Sequence, residues 1–212
     1  MKSLIRISVC LLSLLYCNSS KAQQDMKIKK NPSGIFSLGV RCPVSAFNDG
    51  DWRNFGYGSG GQFRIRVADR INTDWFFDYI TGNVGSFASR TDYHIGWSVL
   101  YYLTNKDPLG AKVQPYILAG HCFDYTNQKD NLNRSNYAER WSSAVQAGIG
   151  AHFNLTKRFD ISTTAQYMIH LGTDIHARQE NGAVVFEKEN GVNLEGHILF
   201  NLSLNYKLVD LW

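Results

Sequence analysis

The chain has 212 residues, 44% hydrophobic and 13% aromatic, with a formal net charge of +4. Lys2, Arg6 and Lys21 lie in a segment that reads as removable, and losing them leaves +1. So balanced a chain carries no electrostatic footprint for nucleic acid, and no later stretch offers the roughly 18 uncharged apolar residues of a membrane helix.

Residues 1–22 have the form of a secretory signal peptide: a short basic start, an apolar run from Ile7 to Tyr16, and the small residues Ser20 and Ala22 at the cleavage site. A lipoprotein signal ending at Cys17 is the rival, weakened by bulky Tyr16 just before that cysteine. Residues 23–34 are polar, with Pro32 and Gly34 at the end, and read as a periplasmic lead-in.

From residue 35 onward the sequence alternates apolar and polar side chains in eight stretches, the period of a strand whose two faces meet different surroundings. The first, 35–47, sets Phe36, Leu38, Val40 and Cys42 outward against Ser37, Gly39 and Arg41. The second sets Phe63, Ile65 and Val67 outward against Gln62, Arg64 and Arg66. The third has Trp75, Phe77 and Tyr79 outward and Asp78 inward, and a turn centred on Asn72 predicts Arg66 opposite Asp78. In the fourth, 92–103, Tyr93, Ile95, Trp97, Val99, Tyr101 and Leu103 oppose His94, Gly96, Ser98 and Leu100. The fifth, 112–123, is expected to turn Tyr116, Leu118, Gly120 and Cys122 outward and His121 inward. The sixth alternates Trp141, Val145, Ala147, Ile149 and Phe153 with Gln146, Gly148, Gly150 and His152. The seventh alternates Phe159, Ile161, Thr163, Ala165, Tyr167 and Ile169 with Asp160, Ser162, Thr164, Gln166 and His170. The eighth sets Ile198, Phe200, Leu202, Leu204, Tyr206 and Leu208 against Glu195, His197, Asn201, Ser203, Asn205 and Lys207.

Long polar loops (48–58, 83–91, 124–140 and 172–193) take turns with short reversals, as in an up-and-down barrel with unequal ends. Two Asn-Gly pairs around Ala183–Phe186 predict a small hairpin inside the last loop. The fold expected is all-β, an eight-stranded antiparallel transmembrane β-barrel over 35–212. A soluble sandwich or lipocalin-like barrel is the alternative, but it would have to bury every outward ring and solvate the charged face. Cys42 and Cys122, on strands across the barrel from each other, are expected as free, lipid-facing thiols.

Eight strands enclose a bore that side chains just fill. The inward charges Arg41, Arg64, Arg66, Asp78, Asp160, Glu195 and Lys207 are therefore expected to form an ionic network plugging the lumen. Five strand histidines share the inward parity, and His94, His121, His170 and His197 are the candidate ligands for a divalent metal or small ligand at the outer mouth. The competing expectation is hydrogen bonding within a polar lumen, with no cofactor at all. Catalysis on lipid esters would need a lipid-facing Ser/His pair, and on this parity no histidine faces lipid. The loop residues Trp52, Arg53, Tyr57, Tyr137 and Arg140 are of the types enriched at binding hot spots, or else belong to an interfacial aromatic girdle.

The segment Gln114-Pro115-Tyr116-Ile117-Leu118-Ala119-Gly120 resembles the Pro-Tyr…Gly strand opening of small outer-membrane barrels. An alternating last strand that stops at Trp212 resembles the sorting signal read by the barrel-assembly machinery; Asp210 departs from its apolar pattern. The chain thus resembles the OmpX-like and OmpA-transmembrane-domain-like barrels of Gram-negative bacteria, and cleavage before Gln23-Gln24 resembles exported proteins of the Bacteroidetes. The resemblance implies residence in the outer membrane, contact with its lipids and lipopolysaccharide, handling by the assembly machinery, and a structural or surface-interaction role without catalysis. An extracellular or envelope protein partner is compatible with it. No peptidoglycan-binding domain is expected after the last strand.

Overall fold

A computed structural model describes residues 32–47, 54–104, 111–172, 174–189 and 196–212. The expected signal peptide and most of the lead-in lie outside the described residues, as do Trp52, Arg53 and Glu195. Eight strands close a barrel: β1 (Ile35–Phe47), β2 (Asn54–Ala68), β3 (Ile71–Val84), β4 (Ala88–Tyr102), β5 (Val113–Asp130), β6 (Tyr137–Asn154), β7 (Phe159–Leu171) and β10 (Gly196–Asp210). Each pairs antiparallel with its sequence neighbour, and β1 with β10 completes the ring. Between β7 and β10, β8 (Asp174–Glu180) and β9 (Ala183–Glu189) form the expected hairpin. Asn181 and Gly182 make its turn at φ 49° and 83°, the left-handed pair that suits a two-residue hairpin.

The apolar face is outside. Trp97, Ile95, Val99, Phe77 and Phe200 are each 39–55% exposed, while Asp78, His94 and Asp124 are fully buried. The outward run from Tyr93 to Leu103 covers about 34 Å of strand, or about 26 Å of height at a 40° tilt, matching the roughly 25 Å band of a membrane barrel. Tyr79, Tyr93, Tyr125 and Trp141 are direct cross-strand partners in one row over β3–β6. Beyond that row, toward the loop end, the outward residues become Thr81, Thr91, Ser89, Asn127 and Lys129. The row marks where a lipid-facing surface gives way to a wetted one.

Three expectations are corrected. The first is the extent of the third and fifth loops, where the ladders continue to Val84–Ala88 and to Lys129–Tyr137. These long hairpins raise the wall beyond the apolar band; their outward face is polar, with Thr81, Ser89, Thr91, Asn127 and Lys129, and hence loop-like in the sequence. The second is the turn between β2 and β3. It consists of Asp69 and Arg70, so Arg66 pairs with Asn72 and Asp78 lies beside Gly60. The third is the parity of β5: Tyr116, Leu118 and Cys122 point inward and are buried, while Ile117, His121 and Phe123 point out. Cys42 is exposed and Cys122 buried, both as free thiols, so a single lipid-facing thiol remains.

Candidate functional site

The bore is layered. At the turn end, Asp160 takes the Arg64 guanidinium at 2.6 Å and Asn205 Nδ2 at 3.1 Å, with Lys207 Nζ at 3.7 Å. His152 and Ser162 complete the cluster, and Lys207 also donates to Asn154 at 2.7 Å. Arg66 donates to the Asp69 carbonyl and lies 4.2 Å over the Tyr102 ring, an apolar seat for a permanent cation. Beside these groups is a residual cavity of about 20 Å³, room for about one water.

Midway, Arg41 crosses β2 to reach Asp78 at 3.0 Å and Asp74 at 3.6 Å, its guanidinium 4.3 Å over Phe76. The crossing needs Gly60, which stands between Arg41 and Asp78 in the register and whose missing side chain leaves the passage open. Gly150 does the same for Tyr116, which reaches over it to Thr164 at 2.9 Å. Alongside sits an apolar layer of Phe76, Ile80, Cys122, Ala144, Met168 and Leu199. Its members Met168 and Leu199 share the inward parity with the polar residues Gln166, His170, His197 and Asn201, so the bore is not polar throughout.

At the loop end, Asp124 gathers the histidines. Its carboxylate lies 3.2 Å from His94 Nε2 and 3.1 Å from His170 Nδ1, accepts from Thr126 and Ser142 at 3.3 Å, and stands 3.8 Å from Arg140. His170 Nε2 is 3.1 Å from His197 Nδ1, and the His94 and His197 rings stack at 5.5 Å. One level higher, Asp92 holds Arg90 at 3.0 Å and accepts from Thr126 at 2.6 Å. Asp124 reaches this position because β5 runs through it, which a loop at 124–140 had concealed. The hairpin leans over the same end: Gln128 donates to the Ile175 carbonyl at 3.0 Å, and Val184 packs on Val84 and Ala88.

Of the four candidate metal ligands, His94, His170 and His197 converge and His121 does not. It faces outward, half-buried, with Nε2 3.2 Å from Ser143 Oγ. Among the described residues no group of three or more His, Cys, Asp or Glu is arranged to hold a metal ion. Here His170 bridges Asp124 and His197 through its two ring nitrogens, while His94 sits beside Asp124 and stacks on His197. Of the expected ionic network, Arg41, Arg64, Asp78, Asp160 and Lys207 are ion-paired as described. Among the surface candidates, Tyr57 is 63% and Tyr137 53% exposed, but Arg140 points inward onto Asp124 and leaves the surface set.

No family model and no curated protein matches the chain. Solved structures do. A major outer-membrane protein of Thermus thermophilus superposes with a TM-score of 0.55 at 12% identity, over 82% of this chain and 98% of that one. Neisserial surface protein A gives 0.53 at 15%, over 83% and 98%. OprG of Pseudomonas aeruginosa gives 0.51 at 15%, over 84% and 97%. At such identities the likeness is one of fold, and with the exposed apolar band it establishes the architecture: the chain has the fold of the small, eight-stranded outer-membrane β-barrels.

Proposed function

We propose that the protein is an integral outer-membrane barrel, exported by its N-terminal signal, with a structural or surface-interaction role and a bore closed to diffusion. The observation that carries this reading is the stack of buried ion pairs that fills the bore: Arg64–Asp160–Lys207, Arg41–Asp78, and Asp124 with His94 and His170. The barrel-assembly machinery and the surrounding lipid and lipopolysaccharide are its expected partners. Exposed Tyr57 and Tyr137 offer contacts for an extracellular or envelope protein. Reconstitution into planar bilayers tests the closed bore: no stepwise conductance is expected, and a steady ohmic current would overturn it.

One observation favours a second reading, lipid-ester chemistry, which the sequence disfavoured because no histidine faced lipid. The His121–Ser143 pair supplies a base beside a hydroxyl on the lipid side. Among the described residues no carboxylate hydrogen-bonds to His121, so the orienting third group is missing and the pair reads as mutual satisfaction of two polar groups. The lipid A acylation profile is expected to be the same for cells overproducing the native chain and the Ser143→Ala variant. A chain-length change lost only in the variant would install the enzyme reading.

A further inference from the structure

Immediately above the tyrosine row, on the outer wall of β3, β4 and β5, lies a concavity of about 470 Å³. Its floor is Tyr79, Tyr93 and Tyr125: the Tyr79 and Tyr93 rings meet edge to face at 5.2 Å, and the Tyr125 ring tilts against Tyr93 at 5.9 Å. Its walls carry Thr81, Ser89, Thr91 and Asn127, and its upper rim the cations Lys129 and Arg134. Below the floor the same strands present Phe77, Ile95 and Phe123, each 46–60% exposed. In the sequence the floor residues Tyr79 and Tyr93 lie on strands, but Ser89, Thr91, Asn127, Lys129 and Arg134 read as loop, because polar residues above the row face neither lipid nor core.

From this arrangement we propose that the concavity binds the phosphorylated sugar headgroup of an outer-leaflet glycolipid, the chemistry of lipopolysaccharide. Acyl chains lie along Phe77, Ile95 and Phe123, and the sugar rests on the tyrosine faces. Hydroxyl and amide groups of Thr91, Ser89 and Asn127 meet its hydroxyls, and Lys129 with Arg134 takes the phosphate. The argument for this occupant is position together with charge. The floor stands where the wall passes from lipid to water, so a lipid already lies against it, and the two cations sit on the water side at headgroup level. A plain phospholipid would use the cations and leave the row of hydroxyls unmatched. The proposal rests on the membrane reading above and deepens its lipid partner to a site.

The test is binding of fluorescently labelled lipopolysaccharide to the folded barrel in neutral detergent micelles, followed by anisotropy. The Lys129→Ala/Arg134→Ala variant is expected to bind roughly tenfold more weakly or worse. Lys112→Ala/Lys157→Ala, which removes two exposed cations at the opposite end, is expected to bind as the native chain does. Dephosphorylated lipopolysaccharide should bind the native barrel weakly, and phosphatidylglycerol or inorganic phosphate should compete poorly. Unchanged affinity in the Lys129/Arg134 variant, or equal competition by phosphatidylglycerol or by phosphate alone, overturns the site. Failure of the membrane reading would look different: the native chain would show no heat-modifiable gel shift and no insertion into vesicles, whatever it bound.

Discussion

Asp160 near the turn end and Asp124 near the loop end are both buried carboxylates ringed by donors, yet the donors differ in kind. Asp160 faces the Arg64 guanidinium, which does not give up its charge, with the Lys207 ammonium 3.7 Å away. Asp124 faces the imidazoles of His94 and His170, ring nitrogens rather than a fixed cation, with the Arg140 guanidinium farther off at 3.8 Å. The first cluster works as an ionic lock and the second as a carboxylate seated among imidazoles and hydroxyls. The same residue type therefore carries different structural weight at the two ends of one bore.

Substitution separates the two. Asp160→Asn strands two buried cations and is expected to cost about 3–5 kcal/mol in urea unfolding from lipid vesicles. Asp124→Asn keeps an amide oxygen that His170 and Ser142 can still use as an acceptor, and about 1–3 kcal/mol is expected in the same assay. Equal losses would mean that the distinction between the two clusters fails. As an exposed reference, Tyr125→Phe deletes the 2.6 Å bond to Glu139 and is expected to cost about 0.5 kcal/mol or less.

The fourth strand was legible from Asp92 onward because its faces differ at nearly every step, with Tyr93, Ile95, Trp97 and Val99 against His94, Gly96 and Ser98; its first rungs of ladder, from Ala88, read as loop. The fifth was not. Between Tyr116 and Phe123 both parities are apolar, and the deciding residues, Asp124, Thr126 and Gln128, lie beyond the membrane row in what reads as a loop. That one parity error hid Asp124, turned His121 the wrong way and placed Cys122 in lipid. The inward parity of His94, His170 and His197 was legible; the carboxylate that gathers two of them was not. Met168 and Leu199 escaped notice because a bore read as polar leaves no place for apolar side chains, although the mid-bore layer needs them. A lipid-soluble maleimide tests the corrected parity, with rapid labelling expected at Cys42 and none at Cys122 in the folded barrel.

The most direct measurement is fluorescence of a variant whose only tryptophan is Trp97, reconstituted with lipids brominated along their acyl chains. Strong quenching by the brominated lipid and little by aqueous iodide is the expected result, since Trp97 stands on the exposed apolar face four residues below Tyr93. Quenching by iodide without any effect of the bromines would contradict the inside-polar, outside-apolar cylinder on which the proposed functions rest.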